Sequence, residues 1–333
     1  MRFEVGVNES GRRLDRVLKK LFREAPLSFI YRTIRRDVKV NGRRVPGETL
    51  LGAGDIVEIF LPDEQIGALG RKCPAGAPVA RKQFSVVFED ANILIVDKPF
   101  GLLTHGDETE KKNTLANQVA AYLTEKGVYV PGEERVFTPA PANRLDRNTT
   151  GLVLFGKTLP AARDLALMLK GGLDGDAYTE KVYLAVVKGE MKKPLTLRSR
   201  MMRDTETNIT RELPEASGEG RAMVTEAAPV AAGKGFTLVE ARLLTGRTHQ
   251  IRVQLAAAGF PVIGDRKYGD NAVNRIASQK YGLTAQLLHA WRLKIVSGAG
   301  SLEYLKGEIF RAKPPARFIE IAEDLGCVMK MKL

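Results

Sequence analysis

The chain is 333 residues long and 44% hydrophobic, with 52 Lys and Arg against 39 Asp and Glu for a formal net charge of +13. That length accommodates about two domains, and the charge predicts an anionic partner, nucleic acid ahead of an anionic membrane surface, while saying nothing of fold. No apolar run approaches the ~18 residues of a membrane span, and MRFEVGVNES lacks the apolar stretch of a signal peptide, so a cytoplasmic location is expected.

In chain order, the first predicted unit is a compact basic module over residues 1–61. Between Ser10 and Arg44 stand 12 Lys and Arg and 3 Asp and Glu. Leu14, Val17, Leu18, Leu21 and Phe22 recur with helical spacing, and Arg12, Arg13, Arg16, Lys19, Lys20 and Arg23 surround that apolar face. A second short helix is expected from Ser28, as a cap for FIYRTIRRD. In VKVNGRRV the Asn41-Gly42 pair predicts a tight hairpin, and GDIVEIFLP supplies another strand. Because Arg12, Arg13, Arg16, Arg32, Arg35, Arg36, Arg43 and Arg44 cluster on both helices and the hairpin instead of alternating with acids, they are candidate RNA contacts; the plainer alternative is a solvated face.

Residues 62–83 are rich in Pro and Gly, show no sustained periodicity and are expected as a linker. From 84 to 333 the pattern predicts an α+β domain around a large, mostly antiparallel sheet. Its strands are FSVVFE and NILIVDKP, then GLVLFG, KVYLAVVKG, FTLVEARLLTG and AQLLHAWRLKI. Helices are expected at TLANQVAAYLTEKG, at LPAARDLALMLKGG and at THQIRVQLAAAG, the last capped by Thr248 and ended by Gly259.

Four features bear on chemistry. GLVLFGKT, Gly151 to Thr158, fits the P-loop pattern letter for letter, but its intervening residues form a strand where a phosphate-cradling loop would need exposed backbone N–H groups. In NRLDRNTTG, Asp146 stands between Arg144 and Arg147. It is either a turn carboxylate satisfied by local N–H groups or, held ionised by neighbouring arginines, a nucleophile or general base. In TGRTHQIRVQ, His249 and Arg252 share a helix face behind Arg247, which makes either an anion site or a locally satisfied pair. Tyr183 reads as an aromatic on a strand with its hydroxyl at a rim. The two cysteines, Cys73 and Cys327, and the three histidines have no metal-ligand spacing, so neither a disulfide framework nor a metal site is expected.

Together these segments resemble the RluA/RluC/RluD-type family of pseudouridine synthases, marked by HRLDxxTSG and a later GRTHQIRVH. NRLDRNTTG and GRTHQIRVQ occur in that order, with KVYLAVV between and LLHAWRL after, over about residues 84–310. The basic module ahead of them looks like the small RNA-binding unit known from a ribosomal protein. The resemblance implies an isomerase that turns uridine into pseudouridine in structured RNA, with large-subunit ribosomal RNA the expected target, without metal or organic cofactor; nothing in the sequence demands more than a monomer. It implies Asp146 as the catalytic aspartate, Arg252 as its salt-bridge partner and Tyr183 as the tyrosine stacked on the target base. Arg144 would fill the helical stack, Leu288 would line the base pocket, and His249 and Arg247 would attend the substrate. Asn143, Thr150 and Gln254 depart from the family's His, Ser and His. The rival expectation is an RNA-binding or assembly factor that keeps the fold without the reaction.

Overall fold

The computed structural model describes residues 1–22, 24–69, 81–130, 137–170, 178–203 and 210–328. Arg23, Cys73 and residues 70–80 of the expected linker lie outside them.

The N-terminal part holds β1 (Arg2–Glu4), α1 (Leu14–Leu21), α2 (Leu27–Asp37), β2 (Val38–Val40), β3 (Ile56–Ile59) and α3 (Asp63–Leu69). Its three strands form an antiparallel sheet in the order β1-β3-β2. Leu14, Val17, Leu18 and Phe22 are all buried, as the helical spacing predicts, and pack with Ile30, Ile34, Val57 and Ile59. α2 begins earlier than Ser28, with extended Pro26 before its first turn and no side-chain cap; proline's fixed φ suits a helix entry without one. Asn41 and Gly42 take positive φ, as the tight turn requires. However, the segment after the turn contributes a single bridge, Val40 to Arg43, and β2 pairs instead with β3. The Asn41 amide accounts for this: it donates to Asp55 and accepts from Ile56 N, tying the turn to the start of β3. Part of the expected linker is helical, since α3 leans Ile66 and Leu69 on this core.

The larger part is built from β4 (Ser85–Glu89), β5 (Ile93–Lys98), α4 (Leu115–Glu125), β6 (Thr150–Gly156), α5 (Leu159–Leu169), β7 (Thr179–Lys188), β8 (Leu195–Arg203), β9 (Thr210–Leu213), β10 (Arg221–Gly233) and β11 (Phe236–Leu243). It continues through α6 (Gln250–Ala257), α7 (Asn271–Tyr281), β12 (Leu288–Ile295), β13 (Ile309–Arg311) and α8 (Ala316–Asp324). The strands form a ten-stranded sheet, β4-β5-β6-β12-β7-β11-β10-β8-β9, with β13 on β12. All pairs are antiparallel except β6 with β12, whose parallel register joins Thr150 to His289 and Gly151 to Ala290. At this seam Gly151 has φ +109, and a Cβ there would lie 2.2 Å from the Ala290 carbonyl oxygen, so only glycine lets the two strands approach. Thr150 and His289 close the seam from behind: the imidazole Nε2 donates to the Ala312 carbonyl, leaving Nδ1 to accept from the Thr150 hydroxyl at 2.7 Å. Burial drives this histidine down to about 4, so it is neutral.

The P-loop lookalike is a strand. β6 is buried along its whole length and laddered to β5, and Thr158 caps α5 by accepting from Ala161 N, which leaves no cradle of free N–H groups. The sequence reading missed β8 to β10 and the helices α7 and α8. β10 is rich in alanine and carries Pro229 at a bulge, a composition with little strand propensity that the sheet nonetheless accommodates.

Candidate active site

The seam between β6 and β12 opens into a cleft of about 760 Å³, lined by residues that include Arg144, Asp146, Arg147, Tyr183, Arg247 and His249. Each reaches it for a local reason. The turn ahead of β6 is pinned on both sides: Thr104 Oγ1 bonds the backbone of Leu145 in both directions, and Lys98, wholly buried at the end of β5, donates to the carbonyls of Pro99, Leu102 and Arg147. Burial pulls Lys98 down to about 7, against the pull of Asp146 and Asp97. Asn143, at the family's usual histidine position, donates to Leu152 O and accepts from Leu154 N, so it serves the strand edge.

Asp146 projects from this rigid turn with its side chain 28% exposed. Its ion-pair partner is Arg252, 106 residues on, whose Nη1 lies 2.7 Å from Oδ2, whereas no ion pair joins it to Arg144 or Arg147 among the described residues. The rest of the Arg252 guanidinium is taken by Asp265, whose fully buried carboxylate accepts from Nε at 2.6 Å and from Nη2 at 2.8 Å. Asp265 is itself held by the backbone N–H groups of Lys267 and Tyr268. Against the cost of burial, Arg252 keeps the Asp265 carboxyl below its usual range, and the two carboxylates raise the Arg252 pKa. One guanidinium therefore bridges two carboxylates, one buried and one at the cleft, which holds the Asp146 carboxylate in place.

α6 carries Arg252 because nearly all of it is buried. Residues 250–255 are enclosed, so no amphipathic stripe exists to read. The cap position falls to His249, with φ +57 and no side-chain cap bond, in place of the expected Thr248, and the Gln250 side chain ties down the preceding turn by accepting from Arg247 N and Thr245 Oγ1. His249 Nδ1 meets the Tyr268 hydroxyl at 2.9 Å and Nε2 lies 3.8 Å from Asp146. Burial lowers its pKa, with Asp146 opposing. Gln254 anchors the helix by accepting from Thr225 Oγ1 and donating to Ser199 Oγ and two carbonyls, a structural use of the position where the family has histidine.

Tyr183 stands on β7 directly opposite Ala241 and Ala290. Two alanines as cross-strand neighbours leave room for its ring, which is partly buried against the core on either side while still lining the cleft. Burial, then the charge of Asp146, pushes its hydroxyl above the usual range, so the phenol keeps its proton at neutral pH. Leu288 does not line the cleft: it is buried with Ile251 and Leu255 under α6, and Ala290 takes the wall position. Arg144, Arg147 and Arg247 are exposed at the mouth, joined by Lys267.

In the basic module Arg16, Arg32, Arg35, Arg36, Arg43 and Arg44 are exposed, while Arg12 and Arg13 are half-buried. Arg13 is engaged in a two-pronged pair with Asp15, and Arg44 donates to the Arg36 carbonyl, gathering the α2 end and the hairpin into one patch.

Asp265, Lys98 and Tyr268 escaped the sequence reading. A signal existed for Asp265: GDRKYGD, like NRLDRNTTG, sets an acid beside cations next to an apolar run, which precedes Asp265 and follows Asp146.

A model of the family described as RNA pseudouridylate synthase matches residues 92–257. Ribosomal large subunit pseudouridine synthase C of Vibrio vulnificus is 32% identical over 305 residues, covering 89% of this chain and 88% of that protein. The Escherichia coli protein of the same name is 29% identical over 315 residues, covering 93% and 91%. Among solved structures, human RNA pseudouridylate synthase domain containing 1 superposes with a TM-score of 0.54 at 21% identity, over 78% of this chain and 94% of that one. Domain containing 4 gives 0.55 at 20%, over 72% and 92%.

Proposed function

The chain belongs to the RNA pseudouridine synthase family, isomerases of uridine in RNA, and from that premise we propose that it acts on large-subunit ribosomal RNA, in the cytoplasm and as a monomer, with Asp146 as its catalytic group. The relatives' names support the substrate, and the single observation that supports the residue is the Arg252 bridge that aims Asp146 at the cleft.

The division of labour is read as a module at residues 1–61 that grips the RNA through phosphates and shape, joined through residues 62–83 to a synthase domain at 84–333. The target uridine must leave the helical stack, because its base cannot rotate within it, at a cost of a few kcal/mol. Arg144 at the mouth suits the gap it leaves, and Arg147, Arg247 and Lys267 suit the phosphates beside it. Within the cleft the base lies against Tyr183. Arg252 and His249 both approach Asp146 Oδ2, so Oδ1 is the oxygen available to the substrate. The bond from C1′ to N1 breaks, the uracil turns, and a bond forms from C1′ to C5; the C5 proton departs and N1 gains one. The protonated Tyr183 hydroxyl is placed to assist that exchange.

RNA tritiated at uracil C5 tests this. Wild type releases tritium, and Asp146→Asn, which keeps the shape and loses the charge, falls by at least about 10³-fold while still binding the RNA. Equal release by the variant sinks the assignment; no release by wild type from ribosomal RNA favours a binding factor instead.

A further inference from the structure

A second cleft, of about 830 Å³, lies between α1 of the basic module and α5 of the larger part, with Arg12, Arg16, Lys19, Lys20 and Arg163 in its lining. Nothing in the chemistry above uses it. Its charges are arranged unlike those of an ordinary solvated face. Nη1 of Arg12 is buried and has no hydrogen-bond acceptor. After burial itself, repulsion from Arg163 is the main influence that lowers the Arg12 pKa, with Glu9 pulling the other way. Arg13, beside them, is already occupied by Asp15 and Glu48. A guanidinium with an orphaned N–H, facing a second cation from a different part of the chain, is an unfavourable arrangement that an entering anion relieves. Leu27 and Leu50, both exposed, add an apolar wall that suits a ribose face.

We propose that this cleft is a phosphodiester site for the substrate RNA, in which one backbone phosphate bridges Arg12 of the basic module and Arg163 of the synthase domain. The proposal rests on the reading of RNA as substrate. A bridging phosphate couples the module to the catalytic body when RNA is bound, so the distance from the gripped segment to the extruded uridine is set by the protein. Arg163 is the new element, since it lies outside the module whose cations predict RNA contact from sequence.

The test measures binding of a large-subunit ribosomal RNA transcript to the full chain across a KCl series. It compares wild type, Arg12→Gln, Arg163→Gln, the double variant and, as an equal charge change elsewhere, Arg275→Gln on α7. Arg163→Gln is expected to weaken binding on the order of fivefold at about 0.1 M salt, and to make the log–log salt dependence shallower by about 0.7. Because both arginines hold one phosphate, the double variant binds within about twofold of the weaker single variant. An Arg163→Gln protein that behaves like Arg275→Gln overturns the site, as does a double variant whose loss is the product of the single losses. Without RNA, Arg163→Gln should melt at or above wild type, since it removes a repulsion; a lower melting temperature makes Arg163 structural and also overturns it. Tritium release by wild type from the same transcript reports on the enzymatic reading separately, and no binding by wild type sinks both.

Discussion

The cleft at the β6–β12 seam and the basic N-terminal part both carry several arginines, and they treat them oppositely. At the cleft the Arg252 guanidinium is 7% exposed in its side chain and paired with two carboxylates. In the module Arg16, Arg32, Arg35, Arg36 and Arg43 stand in solvent. A buried guanidinium committed to two carboxylates holds each of them in place. Exposed charge is individually weak and poorly positioned, yet it is free to meet phosphates whose position varies. The first kind positions a neighbouring group and the second meets an anion wherever it lies.

Breaking the saturated side has the largest effect. Asp265→Asn leaves the buried Arg252 with one carboxylate where it had two, and should cost about 3–5 kcal/mol in denaturant unfolding, with turnover falling as Arg252 loses its hold on Asp146. A loss below about 1 kcal/mol with wild-type turnover would mean that the bridge is not a shared support.

The seam behind the cleft gives the next effect. His289 titrates at about 4 in the folded protein against 6.5 when free, so the unfolded chain takes up its proton first and stability is lost as pH falls through that window. Measured against His289→Gln, which cancels groups of opposite sign such as Asp97, raised by burial to about 6, the wild-type advantage should shrink by about 3 kcal/mol between the two values. A pH-independent difference would rule out a buried neutral imidazole.

The smallest effect belongs to the module. Arg36→Gln should weaken RNA binding a few-fold and reduce the salt dependence by about 0.7 to 0.9, without moving the melting temperature. A shift in melting with no change in salt dependence would assign Arg36 to structure.

Sequence alone determined what periodicity, composition and local spacing can carry. The apolar face of α1, the strand within GLVLFGKT that defeats the P-loop pattern, the basic module and the candidates Asp146, Arg252 and Tyr183 were all legible. So was the family resemblance, because its motifs are contiguous. Tertiary structure alone decided what depends on residues far apart. It brought Arg252, the partner that the resemblance implied, to 2.7 Å from Asp146 across 106 positions where residue spacing had offered the flanking arginines, brought in Asp265 and Lys98, and put Ala290 where Leu288 was expected. It also moved the α6 cap position from Thr248 to His249. The reason is physical: a helix enclosed on nearly every side has no polar face to mark its limits, a strand of alanine and proline is held by the pairing of its neighbours, and the charge that matters to a carboxylate at the cleft is the one the fold brings within 3 Å of it, whatever the chain places beside it.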